Sequence, residues 1–141
     1  ANPQAGVEDP EVYRRNFGLL LWKHEYDGAC TWTYHMSFGS IWNDFDHPTY
    51  RDHNLTYPTI DDVIDTIAWE GYREGVDDVR YLTTLTEYIE KAYALDNSTA
   101  TEAARVAEAY LAELKEDLEQ RDLHAVRTEI IEQILQLKQY L

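Results

Sequence analysis

The stretch from Thr66 to Leu82, TIAWEGYREGVDDVRYL, most constrains what this chain can fold into. Ile67, Tyr72, Val76, Val79 and Leu82 recur at steps of three to five, as one buried face of a helix requires. Glu70 and Arg73, Glu70 and Glu74, and Asp77 and Tyr81 stand three or four apart, which makes them neighbours on a helix surface. Gly71 and Gly75 are poor helix formers, each costing about 1 kcal/mol against alanine. A helix that keeps both has its backbone close to something, either a neighbouring strand or a ligand. The pattern continues through Leu85, Tyr88, Ile89 and Ala92 and predicts a helix ending near Leu95.

Asn97-Ser98-Thr99 breaks the pattern, and Thr99 with Glu102 reads as a capping box. A second helix is expected over about residues 100–120, with Ala103, Val106, Tyr110, Leu111 and Leu114 inward. A third follows the Arg121-Asp122 turn, over about residues 123–140, with Val126, Ile130, Ile134, Leu137 and Leu141 inward. Short connections make such helices antiparallel neighbours. Residues 66–141 therefore read as a three-helix C-terminal region.

Residues 1–65 read differently. Residues 1–8 are polar and suggest an irregular lead-in. Asp9-Pro10-Glu11 is a helix start: an acid at the cap, Pro in the first turn, then another acid near the positive dipole end. The helix is expected to run to about Glu25, with Tyr13, Phe17, Leu20, Leu21 and His24 on its buried side, and to end at Asp27-Gly28. Ala29–Tyr34, ACTWTY, has the β-formers of a strand, with Cys30, Trp32 and Tyr34 on one face. Helix, glycine, strand is half of an α/β repeat. From His35 to Pro58 no periodicity is visible, and a loop of that length in a compact domain is often functional.

That loop holds Trp42, Asn43, Asp44, Phe45, Asp46, His47, Tyr50, Arg51, Asp52, His53 and Tyr57. Aromatic faces stack on the C–H face of a pyranose, while Asp and Asn hold its hydroxyls. The alternative is a solvated loop whose aromatics plug one end of a core. Asp44, Asp46, His47, Asp52 and His53 are metal-ligand types without a metal-site spacing, so no metal is expected. Glu70 and Glu74 are a carboxylate pair of the kind that hydrolyses glycosides, yet Arg73 and Arg80 on the same helix favour salt bridging. Cys30, the lone cysteine, excludes an intrachain disulfide and reads as a small core residue. Asn54-Leu55-Thr56 and Asn97-Ser98-Thr99 fit glycosylation acceptors. Nothing in the sequence calls for a cofactor.

The formal net charge of −15, from 27 acidic and 12 basic residues, repels a phosphate backbone and argues against nucleic acid as a partner. No run approaches 18 apolar residues, so no membrane-spanning helix is expected.

NFGLLLWKHEYDGACTWTY, IWNDFD and YPTIDDVIDTIAWEGYREGVDDVRYLTTL together resemble the C-terminal end of the catalytic barrel of glycoside hydrolase family 123 and its relatives. Tyr57-Pro58 matches the family's Y-P-G turn, with Thr59 in place of Gly. Glu70, Arg73, Glu74, Gly75, Asp78, Tyr81 and Leu82 match its helix motif; Ala68 stands where Arg is common and Val79 where Tyr is. The similarity spans about residues 10–90. It implies an α/β fold: the C-terminal part of a (β/α)8 barrel followed by an antiparallel helical bundle, mostly α in this chain. A whole barrel of that kind takes ~250 residues. The resemblance also implies a hexosaminidase whose substrate acetamido group assists, using an adjacent Asp-Glu pair on a middle strand. No residues here correspond to that pair, so this chain alone is expected to be inactive. Loops that follow barrel strands carry the site, which places Trp32, Tyr34, Trp42, Asn43, Asp44 and Asp46 nearest a carbohydrate. A strand at Ala29–Tyr34 then expects neighbours, supplied by a missing upstream barrel or by self-association. The other reading of the whole chain is a small acidic helical module that oligomerises or binds a protein partner.

Overall fold

The computed structural model describes residues 9–141, so the lead-in at 1–8 lies outside it. The fold is mostly helical with two small antiparallel sheets. It divides into two compact units between Val76 and Asp77, inside the long helix.

In the first unit, Pro10 opens helix α1 (Pro10–Asn16), whose missing N–H costs nothing in the first turn. Asp9 makes no side-chain cap bond. The single helix expected to Glu25 is divided: α1 stops before Phe17-Gly18, and α2 covers only Leu19–Lys23. The break falls where the chain touches the long helix, for a Cβ on Gly18 would stand 2.8 Å from the Gly75 Cα. The terminator is Glu25, at φ 57°, rather than Asp27-Gly28. Tyr13 and Phe17 are buried as expected and are joined by Leu19; Leu20 and Leu21 are half-buried and His24 is exposed.

Ala29–Tyr34 is not a strand. Its threonines bond locally: Thr31 Oγ1 donates to the Thr33 carbonyl at 2.7 Å, and Thr33 Oγ1 accepts from the His35 amide at 3.2 Å. Such side-chain bonds compete with a ladder. Pairing starts one residue later. Strand β1 (His35–Met36) runs antiparallel to β2 (His53–Asn54), with His35 opposite Asn54 and Met36 opposite His53. Strand β3 (Thr56–Pro58) pairs with β4 (Val63–Asp65). The segment 35–58 is thus not structureless; its strands are too short to show alternation.

Helix α3 (Ile67–Tyr93) opens beneath Thr66, whose Oγ1 accepts from the Trp69 amide at 3.2 Å and donates to the Leu55 carbonyl at 2.8 Å. In the first unit its buried side is Ala68, Gly71 and Gly75. Ile67, expected inward, is 56% exposed, and Val76 is exposed too. A Cβ on Gly71 would overlap the Pro10 carbonyl, and one on Gly75 would stand 2.6 Å from the Arg14 oxygen. The glycines therefore admit neither a strand nor a ligand but another helix, α1. Tyr13, Phe17, Leu55 and Ala68 form the core there, with Trp69 and Tyr72 packed against it.

The second unit comprises the rest of α3, then α4 (Ser98–Asp117), a 3-10 turn at Leu118–Gln120, and α5 (Leu123–Lys138). No strand occurs in residues 66–141, and the three helices pack as an up-down-up bundle. Tyr93 Oη donates to Glu108 at 2.8 Å, Tyr110 Oη to the Val126 carbonyl at 3.4 Å, and Arg127 Nε to Asp78 Oδ1 at 2.6 Å. The start of α4 is capped by Asn97, whose side chain accepts from the Thr99 and Ala100 amides; Glu102 instead pairs with Arg105, so no Thr99 capping box forms. Asp122 caps α5 through the Ala125 amide. The buried side of α4 is Ala100, Ala104, Ala107 and Leu114, continued by Leu118 of the 3-10 turn, and not Val106, which is 50% exposed. Val126, Ile130 and Leu137 of α5 are buried as expected, Ile134 is half-buried and Leu141 is exposed.

Replacing Gly71 by alanine improves helix propensity by ~1 kcal/mol but drives a methyl into α1, at an overpacking cost of ~1–3 kcal/mol. Urea unfolding should show Gly71→Ala no more stable than wild type, and less stable by up to about 2 kcal/mol. Gly28→Ala is the control, since a Cβ there meets nothing within 4 Å; it should be neutral. Equal gains at both positions would refute the helix contact.

Asp78 is buried beside Arg127, whose guanidinium also lies over the Tyr81 ring at 5.7 Å. Arg127→Met removes one partner of a buried pair and should cost about 3 kcal/mol. Arg105→Met, at an exposed pair with Glu102, should cost under ~1 kcal/mol. Equal costs in denaturant melts would show the buried pair to be unimportant.

Candidate functional site

Side chains alternate across a strand, so residues two apart share a face. His35 opposes Asn54 in the β1–β2 ladder. Ser37 and Asp52 lie just outside the two strands, and Ser37 meets Asn54 through its hydroxyl. The polar residues at and just before β2 are buried: Asp52 is 3% exposed and Asn54 is as deeply covered.

Asn54 holds the arrangement together. Its Oδ1 accepts from the Met36 amide at 3.1 Å, and its Nδ2 donates to Asp44 Oδ1 at 2.9 Å and to Ser37 Oγ at 3.4 Å. The other Asp44 oxygen accepts from Tyr57 Oη at 2.6 Å. Asp52 Oδ1 accepts from the Phe38 amide at 2.7 Å. Asp52 Oδ2 and His35 Nε2 are buried with no hydrogen-bond partner.

Aromatic rings surround this network. Trp42 stacks on Tyr57 with centroids 5.6 Å apart and planes 13° from parallel, yet remains 55% exposed. His47 stacks on Tyr50, Phe38 packs tilted against both, and His47 Nδ1 accepts from the Thr49 and Tyr50 amides. The Arg51 guanidinium covers the Phe45 ring at 4.7 Å.

Of the residues expected near a sugar, Trp42 and Asp44 are brought together, through Tyr57. Asn43 is exposed and its Oδ1 accepts from the Phe45 amide at 3.2 Å. Asp46 Oδ2 accepts from the Ser40 amide at 2.6 Å. Tyr34 meets Trp69 edge-on, and its carbonyl accepts from the Leu55 amide. Trp32 is 74% exposed. Sequence reasoning passed over His35 and Ser37 and weighed Asn54 only as a glycan acceptor; Asp52 and Tyr57 were named in the aromatic-acidic loop but not among the residues nearest a sugar. The available signal was the polar spacing His35-x-Ser37 and Asp52-x-Asn54.

The other candidates have structural roles. Glu70 and Glu74 both approach Arg73, at 2.6 and 3.5 Å. Cys30, expected in a core, is exposed and lines a groove with Phe17, Leu21 and Tyr26. Asn54 is buried and committed to Asp44, so the folded chain offers no glycan acceptor there. Among the described residues, no three of His, Cys, Asp and Glu converge as a metal would need. No helix of the described residues is long and apolar enough to cross a membrane.

Asp44 is already engaged by Asn54 and Tyr57, so its immediate effect is to fix the Tyr57 ring and, through it, Trp42. What the surface offers chemically is a held, outward-facing indole beside short polar side chains. Comparison with known protein families, curated proteins and solved structures finds no match.

Burial first, and then the hydrogen bond to Asp44, push the Tyr57 hydroxyl up from 10.0 to about 12. A group whose pKa is raised by folding stabilises the fold below its unfolded value and loses that contribution as pH rises through the folded one. The Tyr57 contribution is therefore complete below pH ~10 and lost between ~10 and ~12. Following tyrosinate absorbance, Asp44→Asn should bring one late-titrating tyrosine to lower pH. An unchanged titration would detach Tyr57 from Asp44.

Proposed function

We propose that the first unit carries a carbohydrate-binding surface centred on Trp42, and that the chain is the C-terminal part of a glycoside hydrolase-like barrel protein of hexosaminidase type, catalytically incomplete in this chain. The observation that carries the reading is the Trp42–Tyr57 stack: one indole face is fixed by a ring anchored on Asp44, while the residue stays more than half exposed. A sugar gains most from an aromatic platform that loses little freedom on binding. Asn43 and Asp46 stand on the same loop as hydrogen-bonding side chains for hydroxyls. The resemblance of residues 10–90 to the end of a hexosaminidase barrel supports the same substrate class. It assigns no catalytic pair to this chain.

A second reading, an acidic helical module that binds another protein or itself, is favoured by exposed Val106 and Leu135 on the second unit.

Isothermal titration with N-acetylgalactosamine, N-acetylglucosamine and galactose separates the two. Wild type should bind at least one of them, and Trp42→Ala should weaken that binding about tenfold, a loss of ~1.4 kcal/mol. Val106→Ala should bind as wild type. Aryl N-acetylhexosaminides should not be hydrolysed above a boiled control. The proposal fails if wild type binds no sugar, or if Trp42→Ala binds undiminished.

A further inference from the structure

The β3–β4 hairpin has two outer edges, and they differ. Within it the Thr59 amide donates to the Asp62 carbonyl at 2.8 Å and the Thr66 amide to the Leu55 carbonyl at 3.2 Å. Backbone bonds in an antiparallel pair recur at every second residue. Tyr57 and Ile64, opposite each other between those two bonds, therefore face one another through their backbones. Pro58 and Val63, and Thr56 and Asp65, turn their backbone groups outward instead. The β3 edge then includes Pro58, which has no N–H to offer. The β4 edge is left with the Val63 carbonyl and the Asp65 amide, while the Val63 amide is held by Asp62 Oδ1 at 2.8 Å. Among the described residues no strand pairs with that edge, and all three residues of β4 are exposed.

An open edge is a template for another strand, and the side chains along it decide which one. Val63 and Ile64 are 44% and 51% exposed, and Ile60, in the connection between the strands, is 99% exposed. Around them stand Asp61, Asp62 and Asp65. A second copy would bring the same three carboxylates to the same edge, and like charges across a strand pair are destabilising. A basic segment meets no such repulsion. We propose that the outer edge of β4 takes up an extended segment of a partner protein, apolar opposite Val63 and Ile64 and carrying lysine or arginine opposite Asp65. Backbone bonds to the Val63 carbonyl and the Asp65 amide hold the segment, and its alternating side chains give the selectivity. The proposal does not depend on sugar binding, since neither Trp42 nor Asp44 takes part in it.

The probe is the peptide acetyl-TKVVVKT-amide, titrated into the full chain while amide exchange and 15N shifts are followed by NMR. Aligned antiparallel with its central valine opposite Val63, it sets a lysine opposite Asp65 and a valine opposite Ile64. Binding should slow exchange of the Asp65 amide, the group that gains an acceptor. The same peptide N-methylated at the central valine loses the donor for the Val63 carbonyl and should bind about tenfold more weakly. Asp65→Lys should also weaken TKVVVKT, and should bind the glutamate version, TEVVVET, more tightly than wild type does. The N-methyl comparison decides the matter on wild type even if Asp65→Lys does not fold. Peptide binding that leaves Asp65 exchange unchanged, or that tolerates the N-methyl group, is charge attraction to an acidic surface and overturns the proposal. Slow Asp65 exchange before peptide is added overturns it too: if the protection grows with protein concentration a second copy pairs there, and if it does not the chain covers its own edge. Absence of binding shows that the three aspartates serve only to keep the edge unpaired, which likewise overturns it.

Discussion

The first unit depends on how closely α1 approaches α3. Side chains normally hold packed helices 8–10 Å apart. Here Gly71 and Gly75 remove that spacer, so the carbonyls of Pro10 and Arg14 lie directly on the α3 backbone. That closeness lets Phe17 reach Tyr72, at 4.9 Å between ring centroids, with Tyr13 stacked on Phe17 at 5.9 Å. Leu55 closes the same core. Its carbonyl accepts from both the Thr66 amide and the Thr66 hydroxyl, which joins the start of α3 to the strands. Helix contact, aromatic core and strand placement are therefore linked steps, and the polar face of β1–β2 stands at the end of them.

Leu55 also explains why that face is polar. It lies in the core between Asn54 and Thr56, which alternation turns the other way. Both are nonetheless buried, so each polar group there needs a partner. Asn54 finds three, and Asp44 is drawn inward to meet it. Elsewhere the excess of acid is managed at the surface. Arg73 serves Glu70 and Glu74, and Arg121 serves Glu113, Asp117 and Glu129. The net charge of −15 remains unfavourable to a polyanionic partner.

Helices were legible in the sequence, and their faces less so. Large apolar residues mark a buried face only when neighbours stand off far enough to admit them. Ala68, Gly71 and Gly75 on α3, and Ala100, Ala104 and Ala107 on α4, line close contacts instead, turning Ile67, Val76 and Val106 outward. Ala29–Tyr34 misleads for another reason: the threonines that raise its β-propensity bond to their own backbone. Strands of two and three residues leave no periodic trace. At the site, Trp42 and Asp44 were visible as residue types, but the pairing that unites them runs through Tyr57 and Asn54, and contacts across 10–13 residues follow from register rather than from local pattern.

The charged and small residues of the long helix α3 are occupied by structural work. Glu70 and Glu74 hold Arg73, Gly75 admits Arg14, Asp78 takes Arg127, Tyr81 lies under that guanidinium, and Leu82 is buried. Each role is met by packing or pairing within the unit that contains it, and none needs a substrate. By contrast, the outer face of Trp42 stays exposed, and the second oxygen of Asp52 and the Nε2 of His35 are buried without a hydrogen-bond partner. The segment ahead of the long helix is held differently: its buried polar groups are fixed by hydrogen bonds, Asn54 to Met36, Ser37 and Asp44, and Asp44 to Tyr57.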